Sequence, residues 1–276
     1  MVKCYPIIED FLNKYMSISL IVTTYNRPEA LLLVLKSIEF QTLPPSEVIV
    51  ADDGSDEKTK NLISDFNLLS ELKIIHSFQE DLGFRAAEAR NKAISISKSE
   101  YIILVDGDVV LHPEFVSDHF KNAKLGFFIQ GSRSLLKEKK TKDVIKRHQL
   151  VFNFLSSGLN NRFNSIHSNF LSRFFSVKEN YLKGIKTCNM SFFKKDFISV
   201  NGFNNEFKGW GREDSEFIVR LLNKGINRIT LKFSAIQYHL WHDEANRRAL
   251  EVNDKLLQKA IVENLDWCKQ GINKFL

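Results

Sequence analysis

A chain of 276 residues with 43% hydrophobic and 26% charged side chains can bury a large core, which excludes an intrinsically disordered protein. Its three cysteines, Cys4, Cys188 and Cys268, are far apart and form no C-x-x-C pair, so neither a disulfide framework nor a zinc knuckle is indicated, and a reducing cytosol suits them. The net charge of +6 is uneven: residues 133–186 hold twelve Lys and Arg against three Asp and Glu, a local +9, and no recognition motif supports a nucleic-acid partner.

No apolar run reaches the roughly 18 residues needed to span a bilayer. The start of the chain carries Glu9 and Asp10 rather than a basic then apolar leader. Residues 1–16 read as a packed arm, with Ile7, Ile8, Phe11 and Leu12 on one stripe of a short helix. Ile18 to Thr23 is a continuous apolar strand broken by TTYNRP, and Pro28 suits a first helical turn. Leu31, Leu32, Leu35 and Ile38 recur at helical spacing until Leu43-Pro44-Pro45. A second strand, Glu47 to Ala51, ends in Asp52-Asp53-Gly54-Ser55. Strand, crossover helix and strand make a βαβ unit, so the two strands are expected to be parallel and covered on both faces.

The alternation continues with a helix near Lys58 to Phe66, a strand at Leu72 to His76, a helix at Ala86 to Ser97 and a strand opening Tyr101 to Pro113, YIILVDGDVVLHP. Polar groups follow each strand: Thr23, Tyr25 and Asn26, then Asp52 and Asp53, then Gly83, Phe84 and Arg85, then Asp106 and Asp108. In a parallel sheet these ends share one edge, so the clusters converge on one crevice. The hard carboxylate oxygens of Asp106 and Asp108 suit Mg²⁺ or Mn²⁺, although a D-x-D alone also describes a solvated acidic turn.

A helix to Lys121 and a strand from Leu125 to Gln130 come next, and then the alternation lapses. Val144, His148, Val151 and Leu155 fall at helical spacing behind a lysine cluster, and Phe152, Phe154, Phe163, Phe170, Phe174 and Phe175 follow. Basic and aromatic residues in this order suit an anionic membrane surface; a loop-rich insert packed on the sheet, or one shaping an acceptor site, accounts for them as well. Thr187 to Phe193 reads as a strand, and NEFKGWGREDSEF at 205–217 is the densest chemical stretch. There Gly209 and Gly211 make a mobile hinge around Trp210, and Glu213-Asp214 open a helix with Phe217, Ile218, Leu221 and Leu222 inward and Gly225 as its stop. Acidic residues at that position also serve as plain helix caps. A last strand from about Ile226 ends near Tyr238-His239-Leu240-Trp241-His242, whose imidazoles can reach the same cation. A final helix within 244–270 would turn Ala249, Val252, Leu256, Ala260 and Leu265 inward.

SLIVTTYNRP, VIVADDGS, the RAAEARN run, LVDGDV and GWGRED stand in the order and spacing of the family 2 glycosyltransferases, which this chain resembles from about Ser17 to His242. The later half is similar to the galactosyltransferase-type C-terminal region. The resemblance implies an α/β GT-A, Rossmann-like fold: a mostly parallel central sheet flanked by helices, with a basic, Phe-rich helical insert. It divides one structural domain into an arm (1–16), a nucleotide-sugar-binding half (17–130), the insert (131–186), an acceptor and catalytic half (187–243) and a C-terminal helix (244–276). It implies transfer of a sugar, with inversion, from a UDP-hexose or UDP-N-acetylhexosamine to a hydroxyl of a glycan or lipid-linked glycan, in bacterial surface polysaccharide or lipopolysaccharide synthesis. The expected location is the cytoplasm, with peripheral contact at the inner membrane through 133–186.

Carried over by position, Thr23, Tyr25 and Asp53 contact uracil and ribose with Arg85 nearby, and Asp106 faces the ribose or donor sugar. On the same resemblance Asp108 and His239 would hold Mn²⁺ or Mg²⁺, Asp214 would be the base, Glu213 would bind hydroxyls, and Trp210 and Asn189 would meet acceptor or sugar. Some relatives have a methionine where this chain has Ile236, so water or His242 would complete the metal's ligand set. Two rivals stand beside this reading. One is a haloacid-dehalogenase-type phosphatase with Asp106 as nucleophile and Asp108 as acid, although three βα units precede the motif here. The other is a sugar-nucleotide-binding module without catalysis.

Overall fold

The computed structural model describes residues 16–243 and 246–276. The arm expected over 1–16, with Cys4, therefore lies almost wholly outside the described residues. The first half alternates as expected: β1 (Ile18–Thr24), α1 (Pro28–Glu39), β2 (Glu47–Asp52), α2 (Glu57–Leu69), β3 (Ile74–Phe78), α3 (Ala86–Ile96) and β4 (Tyr101–Asp106). Then come β5 (Val109–Leu111), α4 (Phe115–Asn122), β6 (Phe127–Gln130), β7 (Ser132–Leu136), α5 (Glu138–Arg147), β8 (Leu159–Asn160), α6 (Asn169–Phe175) and β9 (Val177–Glu179). The chain closes with β10 (Asn189–Phe193), α7 (Lys194–Ser199), α8 (Glu213–Asn223), β11 (Asn227–Thr230), β12 (Ile236–His239) and α9 (Leu250–Val262).

The main sheet has the order β3-β2-β1-β4-β10-β6-β11-β9, and a smaller one runs β5-β12-β7-β8. Strands β3, β2, β1 and β4 are parallel, and β10 enters antiparallel to β4. The apolar runs follow from burial on both faces. Along β4, Ile102 and Leu104 join α3 and α8 through Ala93, Phe217 and Leu221. Their neighbours Tyr101, Ile103 and Val105 point the other way, into α1 and α4 through Leu31, Leu35 and Phe115. Several of the phenylalanines are explained here: Phe192, Phe197, Phe203 and Phe217 interlock with ring centroids 4.6 to 5.5 Å apart.

Three expectations need correction. The insert holds helices α5 and α6, but α5 stops at His148, which takes a left-handed conformation, so Val151 and Leu155 leave the helix and are exposed. The insert also supplies β7, β8 and β9, and its Val144, Phe152 and Leu159 share a core with Ile236 and Tyr238. The single strand expected from Ile226 is two: β11 joins the main sheet, and after a break at 231–235 β12 joins the smaller one. Finally, α9 turns Asn253, Leu257 and Ala260 inward, while Val252 is exposed. Among the described residues no helix is long and apolar enough to cross a membrane.

Candidate active site

Sheet order reverses between β1 and β4, the place where open α/β sheets hold ligands. Register puts Thr23 opposite Asp106 and Thr24 opposite Asp52 at that edge. The two strand ends touch: Gly107 N–H donates to Thr23 O at 2.6 Å, and a Cβ on Gly107 would lie 2.9 Å from that oxygen and from Thr24 Oγ1. The glycine between the aspartates is thus a steric requirement, and it turns Asp106 and Asp108 toward different neighbours.

Asp108 faces the smaller sheet. Strand β12 pairs antiparallel with β5, setting His239 opposite Val109, and Leu240 N–H donates to Asp108 O at 2.9 Å. His239 Nε2 lies 3.5 Å from Asp108 Oδ1, and His242 Nε2 lies 3.4 Å from Oδ2. Ligand atoms of Asp108, His239 and His242 all fall within 4.8 Å of one another. Asp108 Oδ1 is buried with no hydrogen-bond partner, the state of an oxygen awaiting a cation. Burial pushes the His239 imidazole down to about 4, which keeps it in the neutral form that ligates metals. This donor set fits a divalent ion. A guanidinium meanwhile occupies the other oxygen, with Arg27 Nη1 2.7 Å from Asp108 Oδ2.

Asp106 faces the start of α8 through Arg90, which is 5% exposed. Arg90 Nε donates to Thr23 Oγ1 at 3.1 Å, Nη1 to Glu213 Oε1 at 3.2 Å and Nη2 to Asp106 Oδ1 at 3.4 Å. One side chain on α3 therefore joins clusters at 23, 106 and 213. Its plane is steadied by the Phe203 ring, 5.6 Å from Cζ to centroid. Burial pushes Asp106 up to about 6 against the pull of Arg90. Asp214, at the start of α8, is raised to about 7 by burial and then by Glu213, while its Oδ1 accepts the Ser215 N–H at 2.6 Å.

Other residues sit differently from their expected contacts. Both oxygens of Asp53 are engaged, accepting Arg85 N–H at 2.6 Å and Gln79 Nε2 at 2.5 Å. The Arg85 guanidinium turns to Glu88 and Glu80 O. Tyr25 is 45% exposed and donates to Asp81 at 2.9 Å. Asn189 is buried, its Oδ1 accepts from His119 Nε2 at 3.0 Å, and its Nδ2 donates to Ser132 O and Ala235 O. It is a knot between the sheets, with no amide hydrogen left for a ligand. Trp210 is part-exposed between left-handed Gly209 and Gly211. Its loop is no free hinge, because Asn253 holds Lys208 O and Gly211 O, and Arg212 pairs with Asp254. Arg27 and Arg90 were both visible in TTYNRP and RAAEARN, but nothing in sequence spacing says which cations of those runs point inward.

The model for glycosyl transferase family 2 matches residues 19–196, and one described as the N-terminal domain of galactosyltransferase matches 169–243. The chain belongs to glycosyl transferase family 2. It is 27% identical over 251 residues to a chondroitin synthase of Escherichia coli, covering 84% of this chain and 36% of that protein. To a hyaluronan synthase of Pasteurella multocida it is 30% identical over 231 residues, covering 77% and 23%. The chain thus spans between about a quarter and a third of the length of these relatives. Among solved structures, S. aureus TarS 1-349 in complex with UDP superposes with a TM-score of 0.60 at 18% identity, covering 90% of this chain and 66% of that one. That likeness carries the GT-A fold.

Proposed function

We propose that the protein is a metal-dependent, inverting glycosyltransferase that moves a hexose or N-acetylhexosamine from UDP to a hydroxyl of a surface glycan. The observation that carries this reading is Arg90, whose three bonds gather Thr23, Asp106 and Glu213 beside the Asp108, His239 and His242 group. In support, a UDP complex is known for the structurally similar TarS, and the related synthases are named for polysaccharides.

Thr23, Tyr25 and the loop ordered by Asp53 would receive the nucleoside, and Asp106 the donor's ribose or sugar. Asp108, His239 and His242 would hold Mn²⁺ or Mg²⁺, and Arg27 would pass from Asp108 to a donor phosphate. When bound, the cation supplies charge that screens the departing diphosphate. Asp214 takes the proton from the attacking hydroxyl, and a carboxylate raised to about 7 is suited to that work near neutral pH. Displacement in one step inverts the anomeric carbon. Glu213 orients hydroxyls while Arg90 holds it, and Trp210 offers a sugar-stacking face.

The exposed rings Phe163, Phe170 and Phe174, with the cations around them, would rest on an anionic membrane at its cytoplasmic face. Family membership leaves the phosphatase reading without support. A UDP-release assay over a panel of UDP-sugars with Mn²⁺ tests the proposal. Release that needs both metal and Asp214 supports it, and UDP binding without release from any donor would leave a binding module.

A further inference from the structure

Beside the catalytic crevice, between the ends of β6, β7 and β11 and the loop at 181–189, lies a cavity of about 450 Å³. Its charged lining is Arg133, Lys183, Lys186, Arg228 and Lys232 against one acid, Glu179. Glu179 is already committed, pairing with Arg228 Nη2 at 3.3 Å and accepting from Thr230 Oγ1 at 2.5 Å. The other four cations make no ion pair among the described residues, and Arg133 reaches only Cys188 Sγ, at 3.5 Å. Arg228 is 97% buried by its 3% exposure, and its Nε has no partner. Like charges gathered in a low-dielectric hollow are costly unless an anion completes them. Burial first, then Arg133 and Arg228, lower the pKa of the Lys186 ammonium against the opposing pull of Cys188 and Asp214.

Strand register fixes where the cavity lies: its lining residue Asn189 stands opposite Val105, one residue before Asp106, and its lining residue Leu135 stands opposite His239. Lys186 is also within electrostatic reach of Asp214, and Arg133 of both Asp106 and His239. The inner end therefore opens on the crevice itself, with Lys186 toward the proposed base. Tyr181, 52% exposed on the lining with the Arg228 guanidinium carbon 5.6 Å from its ring centroid, adds an aromatic ring of the kind on which sugars stack. The volume admits a sugar with its charged substituent.

We propose that this cavity is the acceptor subsite for an acidic glycan, whose carboxylate or phosphate is held by Lys186 and Arg133 while Asp214 addresses the attacking hydroxyl. This rests on the transferase reading above. Calorimetry on the full chain with UDP and Mn²⁺ tests it with two pairs of probes: tetragalacturonate against its carboxyl-reduced twin, and maltotetraose monophosphate against maltotetraose. At low salt at least one charged twin should bind about ten-fold more tightly than its neutral partner, and the preference should shrink several-fold in Lys183→Gln/Lys232→Gln, which alters two exposed rim lysines. The arm that discriminates names the anion. Equal binding of the twins in both arms overturns the proposal, as does a preference untouched by Lys186→Gln combined with the rim pair. UDP release without acceptor is measured separately on the same preparation. Because twin binding needs no turnover, failure of the chemistry and failure of the cavity assignment are distinguishable.

Discussion

Arg90 carries a full charge with little solvent, so its three oxygen partners are what make it tolerable where it lies. Replacing it with Met should cost about 3 kcal/mol in chemical denaturation, because two carboxylates lose their shared partner, and should raise the donor KM as Asp106 and Thr23 come apart. At Asp214 the direction of the pH effect follows from its proposed role. A base acts as a carboxylate, and burial with Glu213 raises this one to about 7, so kcat/KM should fall as pH drops through that value. Glu213→Gln removes one of the charges responsible, so the limb should move to lower pH, as a pH profile of UDP release would show. Asp214→Asn should leave UDP affinity unchanged and reduce transfer between about a hundred-fold and ten-thousand-fold.

At the scale of elements, the turn between β4 and β5 is set by contact rather than by flexibility. Gly107 has no room for a methyl group against Thr23 O and Thr24 Oγ1, so Gly107→Ala should destabilise by about 1 to 3 kcal/mol and weaken metal-dependent UDP binding, measurable by thermal melts and calorimetry. The insert offers a separate test. Phe163→Ser/Phe170→Ser/Phe174→Ser should abolish cosedimentation with phosphatidylglycerol vesicles while leaving the melt unchanged, since these rings are mostly exposed. Periodicity made β1, β2 and β4 legible, because strands buried on both faces are uninterrupted apolar runs. It misjudged α5 because Val151 and Leu155 continue the helical spacing past a stop that His148 makes by adopting a left-handed conformation no residue pattern announces. It likewise merged β11 and β12, whose assignment to different sheets depends on partners far away in the chain.

At the scale of the whole molecule, the motifs converge because strand ends share an edge, and that much was readable from Thr23, Asp53 and Asp108 in order. What was not readable is which side chains are spent on the protein itself. Asn189 and the carboxylate of Asp53 look like ligand contacts in the sequence, yet both are bound to neighbours, whereas Arg27 and Arg90 look like ordinary cations and stand at the centre. The cationic cavity was hidden for the same reason, since Arg133, Lys186 and Arg228 come from separate segments.

In the proposed mechanism Asp108, His239 and His242 form one metal-dependent nucleotide site beside the base Asp214. It is tested by calorimetric titration of UDP with and without Mn²⁺, on the native chain, Asp108→Asn and Asp214→Asn. Binding should be at least about ten-fold tighter with metal, an advantage lost in Asp108→Asn and retained in Asp214→Asn. UDP binding of equal strength in metal-free buffer, or metal-dependent binding that survives Asp108→Asn, would contradict it.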